Sequence, residues 1–115
     1  MSYSIEITDN FKKEAKRLIK KYASLRNEIA ELGKELSVNP TMGTPLGNDV
    51  YKIRLSIASK NKGKSGGARV ISYVKIINKT VYLLAIYNKG EQDSISDDEM
   101  FDIRIIEKVL NFLGW

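Results

Sequence analysis

VYKIRLSIASKNKGKSGGARVISYVKII, residues 50–77, spells a strand, a lysine- and glycine-rich loop, and a second strand. Tyr51, Ile53 and Leu55 alternate with Lys52, Arg54 and Ser56. A strand sends alternate side chains to opposite faces, so Lys52 and Arg54 share the polar one. Beyond the loop, Ala68 to Ile77 is rich in strand formers and places Arg69, Ile71, Tyr73 and Lys75 on one face. The stretch holds Lys52, Arg54, Lys60, Lys62, Lys64, Arg69 and Lys75, and no Asp or Glu occurs from Val50 through Gly90. Cations without local counter-charges need an anion from elsewhere, and RNA phosphate is the first candidate. On this reading Lys60, Lys62, Lys64 and Lys75 bind RNA.

Working outward, Asn78-Lys79 is a short hairpin turn and Thr80 to Tyr87 (TVYLLAIY) an almost wholly apolar strand, expected at the centre of the sheet. Upstream, Ser2 to Thr8 alternates as a first strand, and Thr8 or Asp9 can cap the helix that follows. In that helix Phe11, Ala15, Leu18 and Tyr22 form one apolar stripe. Lys12, Lys13, Lys16, Arg17, Lys20 and Lys21 lie between them as a solvated outer face. Ser24 is expected to cap a second helix with Leu25, Ile29, Leu32 and Leu36 as its stripe, ended by Asn39-Pro40. Met42 to Asn48 reads as a turn-rich connection. Near the C-terminus, Ser96-Asp97-Asp98-Glu99 is a capping box opening a last helix over about 97–113, whose apolar arc is wider than one packing face needs. The order β-α-α-β-β-β-α predicts an α+β fold: a small, mainly antiparallel sheet packed on an N-terminal αα-hairpin, with a C-terminal helix.

At 115 residues the chain, 1–115, reads as a single domain. It has no Cys and no His, which removes disulfides, thiolate metal sites and the histidine-based catalytic constellations. No apolar run approaches membrane-spanning length and no signal peptide is read, so the expected compartment is the cytoplasm. Charge is unevenly spread. Residues 1–49 carry 8 basic and 7 acidic groups, 50–90 carry 9 and 0, and 91–115 carry 2 and 7. That asymmetry suggests a nucleic-acid or acidic-protein contact.

Gly63-Lys64-Ser65 invites a P-loop reading that fails. The motif needs a glycine where the chain has Ala58, and a helix where Gly66-Gly67-Ala68-Arg69 leads into a strand. A metal nuclease wants carboxylates among the cations, and the middle of the chain has none. Metal-free RNA cleavage asks for less, because the ribose 2′-hydroxyl can itself attack the adjacent phosphate. The protein must align the backbone, stabilise charge on the phosphorane-like transition state and move protons. Fixed Arg and Lys groups serve the first two needs. A lysine crowded by cations can act as a base where an arginine cannot, and Tyr can join in proton transfer.

Lys52-Ile-Arg-Leu, Gly63-Lys-Ser-Gly-Gly-Ala-Arg69-Val-Ile, Val81-Tyr-Leu-Leu-Ala-Ile-Tyr-Asn-Lys89 and the acidic helix start together resemble the RelE/HigB toxin superfamily, with a loop spelling closest to its HigB-2-like branch. The resemblance spans essentially the whole chain, and its specific part is residues 51–91. It implies a type II toxin, an mRNA interferase that cuts mRNA on the ribosome without a metal or cofactor. It further implies a cognate antitoxin of HigA-like, helix-turn-helix type, with a toxin that is monomeric when free and hetero-oligomeric with the antitoxin. By position, Arg69 resembles the arginine that stabilises the transition state. Lys52 and Arg54 resemble the basic pair on the preceding strand, with Lys52 the only possible base of the two. Lys62 and Lys64 resemble loop cations that grip RNA backbone, helped by Gly63, Gly66 and Gly67. Lys89 falls where the family keeps a basic residue, with Tyr87 beside it. Ala68 stands where several relatives are aromatic, and no Tyr follows Tyr87. Two alternatives stay open: a ParE-like toxin inhibiting a protein target such as DNA gyrase, and a catalytically inactive RNA-binding relative.

Overall fold

The computed structural model describes residues 2–60 and 67–89. Its elements are β1 (Ser4–Ile7), α1 (Asp9–Lys21), α2 (Leu25–Val38), β2 (Thr44–Gly47), β3 (Val50–Leu55), β4 (Ala68–Lys75) and β5 (Thr80–Asn88). The α+β architecture expected from the sequence is present. The last helix of that reading lies outside the described residues.

Thr8 starts α1. Its hydroxyl accepts from the Phe11 N–H at 3.2 Å and donates to the Leu83 carbonyl at 3.0 Å, so one side chain caps the helix and ties it to β5. Phe11, Ala15 and Leu18 are buried as the i, i+4, i+7 spacing requires. Lys12, Lys13, Lys16, Arg17, Lys20 and Lys21 are exposed. In α2 the buried positions are Leu25, Leu32 and Leu36. Both stripes pack on one sheet face through Ile53, Val70, Val74, Val81, Leu83 and Ile86. The opposite face carries a second buried cluster that includes Val50, Ile71, Tyr73, Tyr82, Leu84 and Tyr87. Burial on both faces explains why β5 is a nearly continuous apolar run rather than an alternating one, and β4 is buried from Ala68 to Val74.

The strand order is β1-β5-β4-β3-β2, with β1 parallel to β5 and the other pairs antiparallel. Three details differ from the sequence reading. The centre belongs to β4, because β1 adds outside β5 and pushes it one place off. The supposed connection at 42–48 contains an edge strand, β2, which carries Pro45 where a missing N–H is tolerated. Asn48 and Asp49 both have positive φ (54° and 65°), the backbone a tight two-residue hairpin into β3 needs. Finally, β4 ends at Lys75, and Ile76–Asn78 forms a short 3-10 turn closed by Lys79 in the left-handed region.

Candidate active site

β3 and β4 leave and enter the 61–66 loop at the same end of the sheet, and the register there places the proposed cations. Arg54 lies opposite Arg69, and Arg69 lies opposite Tyr87. Residues directly opposite in a ladder share a face at about 4.5–5.5 Å between Cβ atoms. Arg54, Arg69 and Tyr87 therefore form one row across three strands. Lys52, two residues before Arg54, opposes Ile71 on the neighbouring row of the same face. Lys89 follows β5, and its N–H donates to the Gly67 carbonyl at 2.9 Å, which closes the loop's second foot against the end of the last strand.

The members of this row differ in accessibility. Arg54 is exposed and Lys52 half-buried. Arg69 retains only 5% exposure and Tyr87 3%. The Arg69 guanidinium donates to the Ala68 carbonyl at 3.1 Å, which fixes its direction close to the strand. Two like charges directly opposite on adjacent strands repel each other.

Gly67 explains one glycine of the loop. A Cβ there would collide with the Leu55 carbonyl oxygen and stand 2.9 Å from the Ser56 Cα. Only glycine lets β3 and β4 approach this closely beside the arginine row. Lys60 ends a 3-10 turn at Ala58–Lys60, at the first foot of the loop. Lys62, Lys64, Gly63 and Gly66 lie outside the described residues. Lys75 is not brought to the row. It pairs with Thr80 at the opposite end of β4, six residues from Arg69, a span of about 20 Å at strand rise.

Sequence reasoning missed the acidic flank of the site. Arg54 borders a groove of about 260 Å³ together with Glu28, Glu31 and Glu35 of α2, over a floor of Leu32, Met42 and Leu55. Among the described residues, the carboxylates nearest in the fold to this end of β3 thus come from α2, outside residues 50–90. The only local signal was the placement of those glutamates outside the apolar stripe. Among the described residues no group of His, Cys, Asp or Glu is arranged to hold a metal. No described helix is long and apolar enough to cross a membrane.

Comparison with known proteins bears on the lineage and the fold. Residues 3–114 match the family described as RelE toxin of the RelE/RelB toxin-antitoxin system. Among solved structures, the chain is similar to a mutant of E. coli toxin RelE in the free state, with 19% identity over 81% of this chain and 90% of that one and a TM-score of 0.59. It is similar to the RelBE2 toxin-antitoxin complex of Mycobacterium tuberculosis, with 16% identity, 76% and 99% coverage, and a TM-score of 0.57. The intact E. coli RelBE complex matches at 18% identity, 75% and 95% coverage, and a TM-score of 0.57. At these identities the structures speak for the fold, and the family match speaks for the lineage: this chain belongs to the RelE toxin family of toxin-antitoxin systems.

Proposed function

We propose that the chain is a ribosome-dependent mRNA endoribonuclease that works without a metal and stops translation. The observation that carries this reading is the row Arg54–Arg69–Tyr87, with Lys52 on the same face, at the end of the sheet where the lysine-rich loop departs. In the reaction the ribose 2′-oxygen forms a bond to phosphorus while the bond to the 5′-oxygen breaks. The products are a 2′,3′-cyclic phosphate and a 5′-hydroxyl, so no water or oxidant is consumed. Of the three cations on this face Lys52 is the one assigned to the 2′-hydroxyl proton, because neither arginine gives its proton up. Arg69 and Arg54 hold the equatorial phosphate oxygens as charge grows on them, and fixed donors of this kind commonly supply the largest share of catalysis. Tyr87 is the hydroxyl in the row and returns a proton to the leaving 5′-oxygen, with Lys89 beside it. Lys60, Lys62 and Lys64 grip the flanking backbone. Since Arg69 and Tyr87 are buried in the free chain, productive RNA binding uncovers them.

The same reading gives the toxin a cognate antitoxin, of HigA-like type, and places its action in the cytoplasm with the ribosomes. Solved complexes of its structural neighbours with antitoxins support a protein partner. So does an apolar groove of about 310 Å³ between α1 and α2, lined by Ile7, Phe11, Ala15, Ile19 and Ile29 and rimmed by Lys12, Lys16 and Arg26. An amphipathic segment with acidic flanks fits it. The test in cells is expression without the antitoxin. Growth arrest is expected together with cleaved mRNA and intact DNA. Arrest with intact mRNA and damaged DNA would instead favour inhibition of a gyrase-type protein target.

A further inference from the structure

Ser24 occupies the N-cap position of α2, yet its hydroxyl makes no capping bond to the helix. It reaches across the fold to the turn after β3. The Ser59 N–H donates to Ser24 Oγ at 3.0 Å, the Ser24 N–H donates to Ser59 Oγ at 3.3 Å, and the two hydroxyl oxygens stand 2.7 Å apart. Glu28, one helical turn on, accepts from Ser24 Oγ at 3.2 Å through Oε1 and from the Ala58 N–H at 2.6 Å through Oε2. Each atom has a consistent role: Ser59 Oγ donates to Ser24 Oγ, which in turn donates to the carboxylate. The bond from Ala58 is charge-assisted and short, as such bonds are.

The position of this cluster gives it a use. β2 pairs with β3 only as far as Lys52, so Ile53, Arg54 and Leu55 have a partner strand on one side alone. Arg54 therefore sits on a strand end whose outer side no other strand holds among the described residues. The chain is next fixed at Ile57, which is 1% exposed, and at Ala58 and Ser59 by the α2 side chains. We propose that Ser24 and Glu28 are positioning residues for RNA cleavage: through Ala58 and Ser59 they fix the outer end of β3, and with it Arg54 opposite Arg69 and the first foot of the cationic loop. The proposal rests on the nuclease reading above. Neither residue touches RNA. A catalytic constellation has to be held to within about half an ångström of its working geometry, and groups behind the reacting ones do that holding.

The experiment compares mRNA cleavage on programmed ribosomes by the wild type, Ser24→Ala, Glu28→Ala, Ser24→Thr and Glu28→Gln, with thermal unfolding and amide exchange followed in parallel. Ser24→Ala and Glu28→Ala are expected to lower kcat by about tenfold or more with KM little changed, since misplacement costs turnover rather than encounter. Exchange at the Ala58 and Ser59 amides quickens, while the melting transition stays well above the assay temperature. Ser24→Thr and Glu28→Gln keep an acceptor in place and restore most of kcat. A wild type that cleaves beside alanine variants that cleave equally well overturns the clamp alone. Losses that scale with the unfolded fraction, or that the conservative variants fail to restore, overturn it too. A wild type that never cleaves overturns the nuclease reading and the clamp with it.

Discussion

Replacing Gly67 by alanine adds one methyl group at the place where β3 and β4 come closest. That methyl would collide with the Leu55 carbonyl oxygen and stand 2.9 Å from the Ser56 Cα. Both neighbours are backbone, so no side-chain rotation relieves the contact and the end of β3 must move. Overpacking of this kind costs about 1–3 kcal/mol. With roughly 2 cal/mol/K of unfolding entropy per residue, that lowers Tm by about 4–12 °C. The shift falls beside the rung pairing Leu55 with Ala68, next to the Arg54–Arg69 pair, so cleavage should drop further than the loss of folded protein explains. Gly33→Ala is the built-in control. A Cβ at Gly33 meets nothing within 4 Å, and alanine in a helix interior is favoured over glycine by about 0.8–1 kcal/mol. Chemical denaturation of both variants measures the contrast: Gly67→Ala is expected to destabilise and Gly33→Ala to stabilise. Equal stability of Gly67→Ala and wild type would refute the close-approach argument.

Ser72 lies fully buried at the β4 bulge, and its hydroxyl finds no hydrogen-bond partner among the described residues. Ser72→Ala should therefore stabilise the fold, by about 1 kcal/mol, read as an increased denaturation midpoint; destabilisation would mean that the hydroxyl is satisfied in solution. Arg69→Ala should reduce cleavage about 10²–10³-fold, the usual loss on removing one donor to a developing oxyanion, with circular dichroism unchanged. Lys75→Ala should alter the rate by less than about twofold, since Lys75 stands well beyond the ~8 Å screening distance from the row. Equal losses from the two variants would mean that RNA runs along the whole strand.

Much of the fold was legible because its signals are local. The α1 stripe of Phe11, Ala15 and Leu18 and the capping role of Thr8 are set within one or two helical turns. The apolar run of β5 marks a strand buried on both faces. β2 was hidden because Pro45 and Gly47 read as turn residues, and only pairing with β3 makes a strand of them. Ser24 misled for a related reason. Its local spelling predicts a cap, and a partner 35 positions away outcompetes that role. At the site, the alternation of Lys52 and Arg54 placed them on one face. The opposition of Arg54, Arg69 and Tyr87 depended on a ladder register that no single strand encodes. The burial of Arg69 was likewise invisible, since charge alone argues for exposure. Nor could local spelling reveal that the α2 glutamates line one groove with Arg54.

The central claim is attack by the 2′-hydroxyl, assisted by fixed cations and no metal. It is tested most directly with purified protein, programmed ribosomes and two mRNAs that differ only in a single 2′-deoxy substitution at the scissile nucleotide. The account predicts that the all-ribose message is cut to leave a 2′,3′-cyclic phosphate and a 5′-hydroxyl, and that the substituted message stays intact at that position. Cleavage of the deoxy-substituted message at the same bond, or products ending in a 3′-hydroxyl and a 5′-phosphate, would contradict it.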